Sequence, residues 1–267
     1  MQFTKYHCLA NDFVLFNYEQ LPRQNLPASV NRIANRRRGV GCDQLLIYRN
    51  PASPMVEIYN SDGAQVGMCG NGLCALGHLL MQQNNQTAMT IRTKTGEHVV
   101  RQLDLGYVQV DITVPKFDWY DIPLAHASAV ESISESQDST YVKAGCVNVG
   151  NPHLVFFVDD LSKIDTSRWG AKFENDELFP EGVNVGFAQI KDDGIHLRVW
   201  ERGVGYTYAC GSGACAAFVV ARHLGILSQP EVHVLQEGGA AKVSWKDKEE
   251  AVSLTAAPTA VFQGEIF

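Results

Sequence analysis

Cys69-Gly70-Asn71-Gly72-Leu73-Cys74-Ala75 and Cys210-Gly211-Ser212-Gly213-Ala214-Cys215-Ala216 are two versions of one motif. Each opens on a cysteine, passes through two glycines and runs into an apolar stretch. The pattern predicts helices over 72–83 and 213–224, with a thiol at the start of each. The second helix carries Ala214, Ala216, Ala217 and Ala221 on all its sides, which predicts burial. A free thiol ionises near pH 8.5, but the unpaired N–H groups and dipole of a helix N-terminus favour the thiolate. Two such thiols facing each other would present acid and base of opposite hand to one carbon.

Outward from the cysteines the chain repeats itself, which is worth testing before local structure. Asn11-Asp12-Phe13-Val14-Leu15-Phe16 matches Asn151-Pro152-His153-Leu154-Val155-Phe156, and Tyr59-Asn60 matches Trp200-Glu201. Gly39-Val40-Gly41-Cys42-Asp43-Gln44 resembles the block from Gly182 to Gln189 if two residues are inserted. The order and near-constant offset indicate a duplicated domain; the period is too long for a solenoid. Within each half the texture is mostly β. Strands are predicted at 13–16, 45–48, 56–59 and 108–112, and at 154–158, 186–190, 195–200 and 232–235, from short β-branched and aromatic runs bounded by Gly, Asn, Asp and Pro. A further helix is predicted over 29–37. The fold class is therefore α+β, each half a set of strands wrapped around one central helix. The segment 114–123 reads as the crossover between halves and the polar run Ser132 to Ser139 as an exposed loop.

The 267 residues suffice for one large or two ordinary domains, and 45% hydrophobic with 19% charged is a globular composition. A net charge of −7 without basic clusters argues against nucleic acid or an anionic membrane as partner. The one basic run, Arg36-Arg37-Arg38, reads as a solvated helix end before Gly39. No apolar run reaches the roughly 18 residues of a membrane span and no signal-peptide pattern opens the chain, so a cytoplasmic location is expected. Seven cysteines in a reducing compartment are expected to stay thiols.

The chemistry centres on Cys69 and Cys210. Gly70, Asn71, Gly211 and Ser212 can offer backbone N–H donors to a substrate carboxylate. With the α-carbon between two sulfurs, one thiolate removes a proton from one face and the other thiol delivers one to the opposite face. The donors stabilise the charge that grows on the carboxylate, and no cofactor is needed. Cys74 and Cys215 read as buried core thiols. A zinc site is disfavoured, because a Cys-x4-Cys spacing would set two ligands a turn apart along a helix. In repeat coordinates His153 replaces Phe13 and Glu201 replaces Asn60. These swaps to ionisable groups mark both residues as assistants to the thiols. The other seven histidines show no mutual metal spacing.

Taken together these motifs resemble those of diaminopimelate epimerase, a cofactor-independent two-cysteine family. The likeness runs through His7, Leu9 and Asn11-Asp12-Phe13, Gly39-Val40-Gly41, Asp43-Gln44, Asn60, Asp62-Gly63 and Met68-Cys69-Gly70-Asn71-Gly72. It continues through Val149-Gly150-Asn151-Pro152-His153, Gly182-Val183-Asn184, Trp200-Glu201-Arg202-Gly203-Val204-Gly205 and Ala209-Cys210-Gly211-Ser212-Gly213-Ala214-Cys215. It implies two pseudo-symmetric domains, each a barrel-like sheet around a central helix, one of residues 1–115 with 258–267 and the other of 116–257. It implies conversion of LL-2,6-diaminopimelate to the meso form for lysine and peptidoglycan synthesis, by a cytoplasmic homodimer. Cys69 and Cys210 would be the acid/base pair, assisted by His153 and Glu201 respectively. Asn11, Gln44, Asn60, Asn151, Asn184 and Arg202 would surround the substrate, Arg202 suiting the distal carboxylate through its fork of donors.

The chain departs from the family pattern at Cys8, Ala10, Cys42, Gly67, Leu73 and Tyr206. Leu73 and Tyr206 stand where an arginine and a glutamate are usual, a pair that could be lost together. Two rival readings remain: a sister amino-acid racemase of the same fold with another substrate, and a non-catalytic thiol module for redox sensing or metal binding. The retained Asn60, Asn151, Asn184 and Arg202 oppose the first, since a smaller substrate has no distal zwitterion to bind.

Overall fold

The structure, a computed structural model, describes residues 1–20, 26–127 and 143–267. The expected loop at Ser132 to Ser139 lies outside the described residues. The chain forms two compact units, Met1–Asp111 with Thr255–Phe267, and Ile112–Leu254. It is an α+β protein, mostly sheet with four α-helices among the described residues.

The first unit runs β1 (Gln2–Cys8), β2 (Asn11–Asn17), α1 (Leu26–Ala34), β3 (Gln44–Arg49), β4 (Met55–Asn60), β5 (Gln65–Val66), α2 (Gly70–Asn84), β6 (Ala88–Thr93), β7 (Gly96–Gln102) and β8 (Val108–Thr113). β1 pairs antiparallel with β2, β2 parallel with β3, and β3 antiparallel with β4. β4 continues antiparallel to β5 and touches β6 in parallel. The second unit runs β9 (Lys143–Asn148), β10 (Pro152–Phe157), α3 (Thr166–Glu174), β11 (Asn184–Lys191), β12 (Gly194–Glu201), β13 (Gly205–Thr207), α4 (Gly211–His223), β14 (Glu231–Gln236), β15 (Gly239–Ser244) and β16 (Val252–Ala256). Its pairings follow the same sequence: antiparallel, parallel, antiparallel, antiparallel, then a parallel contact of β12 with β14. The last strand, β17 (Thr259–Glu265), lies antiparallel to β1 in the first unit.

Each unit packs its strands on one buried helix. α2 touches β1, β2, β3, β6, β7 and β17, and α4 touches β9 to β12, β14 and β15. Both helices are buried on every side through most of their length, as the alanine-rich face of α4 requires. All six residues of β10 are buried, because α4 covers one face and an aromatic cluster with α3 the other. A strand covered on both faces reads as a continuous apolar run.

The register corrects one part of the repeat. Phe13 stands opposite Gln44 in the β2–β3 pair, and His153 opposite Asn184 in the β10–β11 pair. Gln44 therefore corresponds to Asn184, with no insertion before it, and not to Gln189. α1 also differs from its predicted span: it ends at Ala34, ahead of 37. Asn35 stops it by turning its side-chain oxygen to the backbone N–H groups of Arg37 and Arg38. Only glycine fits at 39, where a Cβ would lie 2.1 Å from the Arg32 carbonyl. The run 36–38 is exposed just past the helix end, as expected, but Arg36 is more than a solvated cation: it clamps Asp12 at 2.7 and 2.9 Å and reaches Asp43 at 2.8 Å.

α3 was not anticipated, and neither were β1, β5 to β7, β9, β13 and β15 to β17. β6 has only Met89 and Ile91 buried, in an alternation too short to stand out. α3 carries a glycine in its interior, which counts against a helix by propensity. In place the glycine is needed, since a Cβ at Gly170 would lie 2.4 Å from the Trp200 side chain.

Candidate active site

Both motif cysteines are N-caps. Cys69 (φ −143°, ψ 113°) precedes α2 and Cys210 (φ −124°, ψ 111°) precedes α4. Extended backbone at this position lets a side chain turn back to the first helical turn. Each sulfur does so: Gly72 N–H lies 3.4 Å from Cys69 Sγ, and Gly213 N–H 3.3 Å from Cys210 Sγ. The glycine two places inside each helix makes room. A Cβ at Gly213 would sit 2.9 Å from Val199 and 3.3 Å from Cys210 Sγ. Cys74 and Cys215 are fully buried in the same helices, and burial pushes the Cys215 thiol up to about 12. All seven cysteines are free thiols.

In the first unit Asn11, Gln44, Asn60, Cys69 and Asn71 carry the expected site. Register sets Gln44 across from Asn60, and its Nε2 donates to Asn60 Oδ1 at 2.9 Å. Cys69 Sγ lies 3.8 Å from Asn11 Oδ1. Two buried side-chain oxygens, Gln44 Oε1 and Asn71 Oδ1, have no hydrogen-bond partner among the described residues. Leaving such an acceptor unmet costs about 1–3 kcal/mol, so each is primed for a donor such as an ammonium. Behind them Asp12 bonds Lys5 and Arg36. Burial opposes ionisation of Asp12, but Arg36 and Lys5 outweigh it and hold the carboxyl well below the usual carboxylate range.

In the second unit His153 is fully buried. Its Nε2 lies 3.0 Å from Asn151 Oδ1 and 3.1 Å from Ser212 Oγ. An amide oxygen only accepts, so the neutral ring carries its proton on Nε2. Its Nδ1 is buried without a partner among the described residues. Ser212 Oγ lies 3.5 Å from Cys210 Sγ, so a chain of polar atoms links the imidazole to that thiol. Burial, reinforced by the Arg202 charge, pushes His153 down to about 3. Its folded pKa is below the unfolded value near 6.5, so the unfolded chain binds more protons between those limits. Stability tied to His153 is complete above about pH 6.5 and is lost as pH falls. Urea titrations from pH 7 to pH 4.5 should show wild type losing about 1.4 kcal/mol per pH unit more steeply than His153→Gln below pH 6. Parallel slopes would mean that the imidazole is not held neutral.

Asn184 spends both ends of its amide on backbone. It donates to Pro152 O at 2.8 Å and accepts from Arg202 N at 3.0 Å. Arg202 Nη1 donates to Glu181 O at 2.8 Å. Glu201 accepts from Thr207 Oγ1. The turn that carries Glu201 and Arg202 is pinned by Glu174 of α3, which takes Trp200 Nε1 and Gly203 N at 2.7 Å each.

Sequence reasoning missed Glu174 and Gln236. Gln236 Oε1 accepts the Cys210 N–H at 2.9 Å and so steadies the cap. Gln236 carried no signal of the kind that singled out His153, because at the offset of the two cysteines it falls on Thr95, and a threonine-to-glutamine difference brings in no ionisable group. Glu174 had none either, since its helix was unforeseen. Tyr206, where the family pattern has an acid, bonds Glu237, and burial with that bond pushes its phenol up to about 12. Among the described residues no cluster of three His, Cys, Asp or Glu is arranged to hold a metal ion.

A family model described as Diaminopimelate epimerase matches residues 3–117 and 145–261. The diaminopimelate epimerase of Phenylobacterium zucineum (strain HLK1) is 40% identical over 270 residues, covering 99% of this chain and 97% of that protein. The one from Coxiella burnetii (strain RSA 493 / Nine Mile phase I) is 38% identical over 273 residues, covering 99% and 98%. Among solved structures, a phenazine biosynthesis protein of the PhzF family from Enterococcus faecalis superposes with a TM-score of 0.72 at 14% identity, covering 100% and 98%. A hydroxyproline epimerase from Agrobacterium vitis superposes with a TM-score of 0.69 at 12% identity, covering 100% and 90%. At such identities these two structures show a shared fold alone.

Proposed function

This chain belongs to the diaminopimelate epimerase family, and on that premise we propose that it interconverts LL- and meso-2,6-diaminopimelate with Cys69 and Cys210 as its two acid/base groups. The observation that carries the reading is the pair of cysteine N-caps, each sulfur within 3.4 Å of an N–H in its own helix. A thiol so placed can carry negative charge at neutral pH, and the neighbouring free N–H groups are donors for a carboxylate.

The α-proton is weakly acidic, and its removal places charge on the carboxylate. The N–H groups of Gly70, Asn71, Gly211 and Ser212 are the donors assigned to that charge, already oriented by the helices. One thiolate takes the proton and the other thiol returns one from the opposite face, so the reading requires both sulfurs to reach one α-carbon. His153 and Glu201 tune the thiols. Gln44 Oε1 and Asn71 Oδ1, buried acceptors without partners among the described residues, suit the ammonium groups. Arg202 suits the distal carboxylate, with Asn184 holding its backbone. Asn11, Asn60 and Asn151 complete the polar lining. An analogue without the distal end would leave these groups unmet, which discriminates against simple amino acids.

No helix among the described residues is long and apolar enough to cross a membrane. The reading places the enzyme in the cytoplasm as a homodimer, in lysine and peptidoglycan precursor synthesis. The test is reduced protein with LL-diaminopimelate in D₂O. Deuterium at the α-carbon should accompany inversion to the meso form, with chelator present and no cofactor added. Folded, reduced protein that gives neither exchange nor meso product would sink this substrate assignment.

A further inference from the structure

Asp43 sits directly before β3 and reaches the start of β2. One carboxylate oxygen accepts the side-chain N–H of Asn11 at 3.1 Å and the backbone N–H of Asp12 at 3.0 Å. The other accepts Arg36 at 2.8 Å. Asp43 N–H returns to the Asp12 carboxylate at 2.9 Å. An ionised carboxylate has acceptors only, so the amide end of Asn11 that faces it must be the NH₂. The amide oxygen is thereby turned the other way, toward Cys69 Sγ at 3.8 Å. An amide oxygen likewise only accepts. The contact is a hydrogen bond while Cys69 carries its proton, and lone pair against lone pair once it is thiolate. The N–H of Gly72, at 3.4 Å, favours the thiolate and works against it.

We propose that Asp43 is a positioning residue for the epimerase reaction: it locks the Asn11 amide in one orientation and so aims an acceptor at Cys69, biasing that thiol toward its proton-carrying, acid form. The proposal rests on the two-thiol reading and adds a division of labour to it. The charged groups packed around Asn11 and Asp43 are Asp12, Arg36 and Lys5, the last bonded to Asp12 and to Gly41 O. In the second unit the corresponding amide, Asn151, turns its oxygen to His153, and Cys210 has the Ser212 hydroxyl beside it. A hydroxyl can donate as well as accept, so that contact does not by itself disfavour the thiolate.

The experiment is alkylation of the full-length reduced protein with iodoacetamide across pH 5–9. Peptide mass spectrometry reads Cys69, with Cys210 as internal reference. Asp43→Asn can donate to Asn11 as well as accept, which frees the Asn11 amide to turn. Cys69 alkylation at pH 7 should rise roughly threefold or more, the worth of one hydrogen bond, with Cys210 unchanged. Removing a negative charge acts in the same direction through space, so the deciding comparison is Asp43→Asn in an Asn11→Ala background. If Asp43 acts through the amide, its effect vanishes there; an equal rise in both backgrounds overturns the proposal. Should Asp43→Asn fail to fold, Asn11→Ala alone decides. Loss of the acceptor speeds Cys69 alkylation, and an unchanged or slower rate overturns the proposal. Alkylation needs no turnover, so failure here leaves the two-thiol reading standing. Absence of exchange in D₂O is what would remove that reading.

Discussion

Cys69→Ala and Cys210→Ala are each expected to abolish inversion, with a fall in turnover of at least about 10³-fold, inside the range for removing an acid/base group. Alanine carries no proton, and water is poorly placed to replace a sulfur held at a helix N-terminus. The two losses should differ in kind from a folding defect. With one thiol gone the other still has its cap, so it should exchange the α-proton of one stereoisomer with solvent while producing no inverted product. Following deuterium uptake into LL- and meso-diaminopimelate separately would show this: each variant washes in label from one isomer only, and the two variants choose opposite isomers. Near wild-type inversion in either variant would refute the two-base mechanism. Cys74→Ala and Cys215→Ala provide the contrast, because these thiols are buried core groups away from the caps. They should retain the activity at some cost in stability.

The largest loss of stability is expected from Phe156→Ala in β10. Phe156 is fully buried, stacked on Phe187 with centroids 5.5 Å apart and tilted against Phe173 at 4.8 Å. It sits where β10, β11 and α3 meet, so its removal leaves a cavity that three elements must close together. Phenylalanine-to-alanine changes in such places cost about 3–5 kcal/mol, a large share of a typical total of about 5–15 kcal/mol. All four tryptophans lie at 119, 169, 200 and 245, within the second unit. Tryptophan fluorescence in a urea titration therefore reports on the unit that carries the substitution. A loss below about 1 kcal/mol would mean that the aromatic cluster collapses freely around the gap.

The elements read from sequence were those with strong local signatures. β10, β11 and β12 announce themselves through apolar runs, and α2 and α4 through a cysteine cap, a glycine and small residues. Some unforeseen strands are half exposed and rich in polar residues, as in the GEHVVRQ of β7, while β9 and β16 are largely buried but built of small or hydroxyl residues among few apolar ones. Most of them pair in hairpins with an adjacent strand, as β6 does with β7 and β15 with β14, and β17 pairs with β1 from the other end of the chain; that pairing, and not a residue pattern, makes them strands. The end of α1 at Ala34 depended on a side-chain bond from Asn35 and a close backbone approach at Gly39. Neither shows in a periodicity. Arg36 read as a solvated cation, because nothing local indicates that Asp12 and Asp43 stand together beside it.

What the sequence determined by itself was the duplication, the α+β texture, the family and the two cysteines as helix caps. All of these rest on order along the chain: a repeat offset, a residue type before a helix, a set of motifs in sequence. What only the tertiary structure decided was how the polar groups around those cysteines are turned. Strand register put Gln44 beside Asn60 and matched Asn184 to Gln44. Burial made His153 neutral, and long-range hydrogen bonds spent the Asn184 amide on backbone and turned the Asn11 oxygen toward Cys69. The direction of an amide or the charge of an imidazole is set by partners brought near through folding, and spacing along the chain carries no record of them.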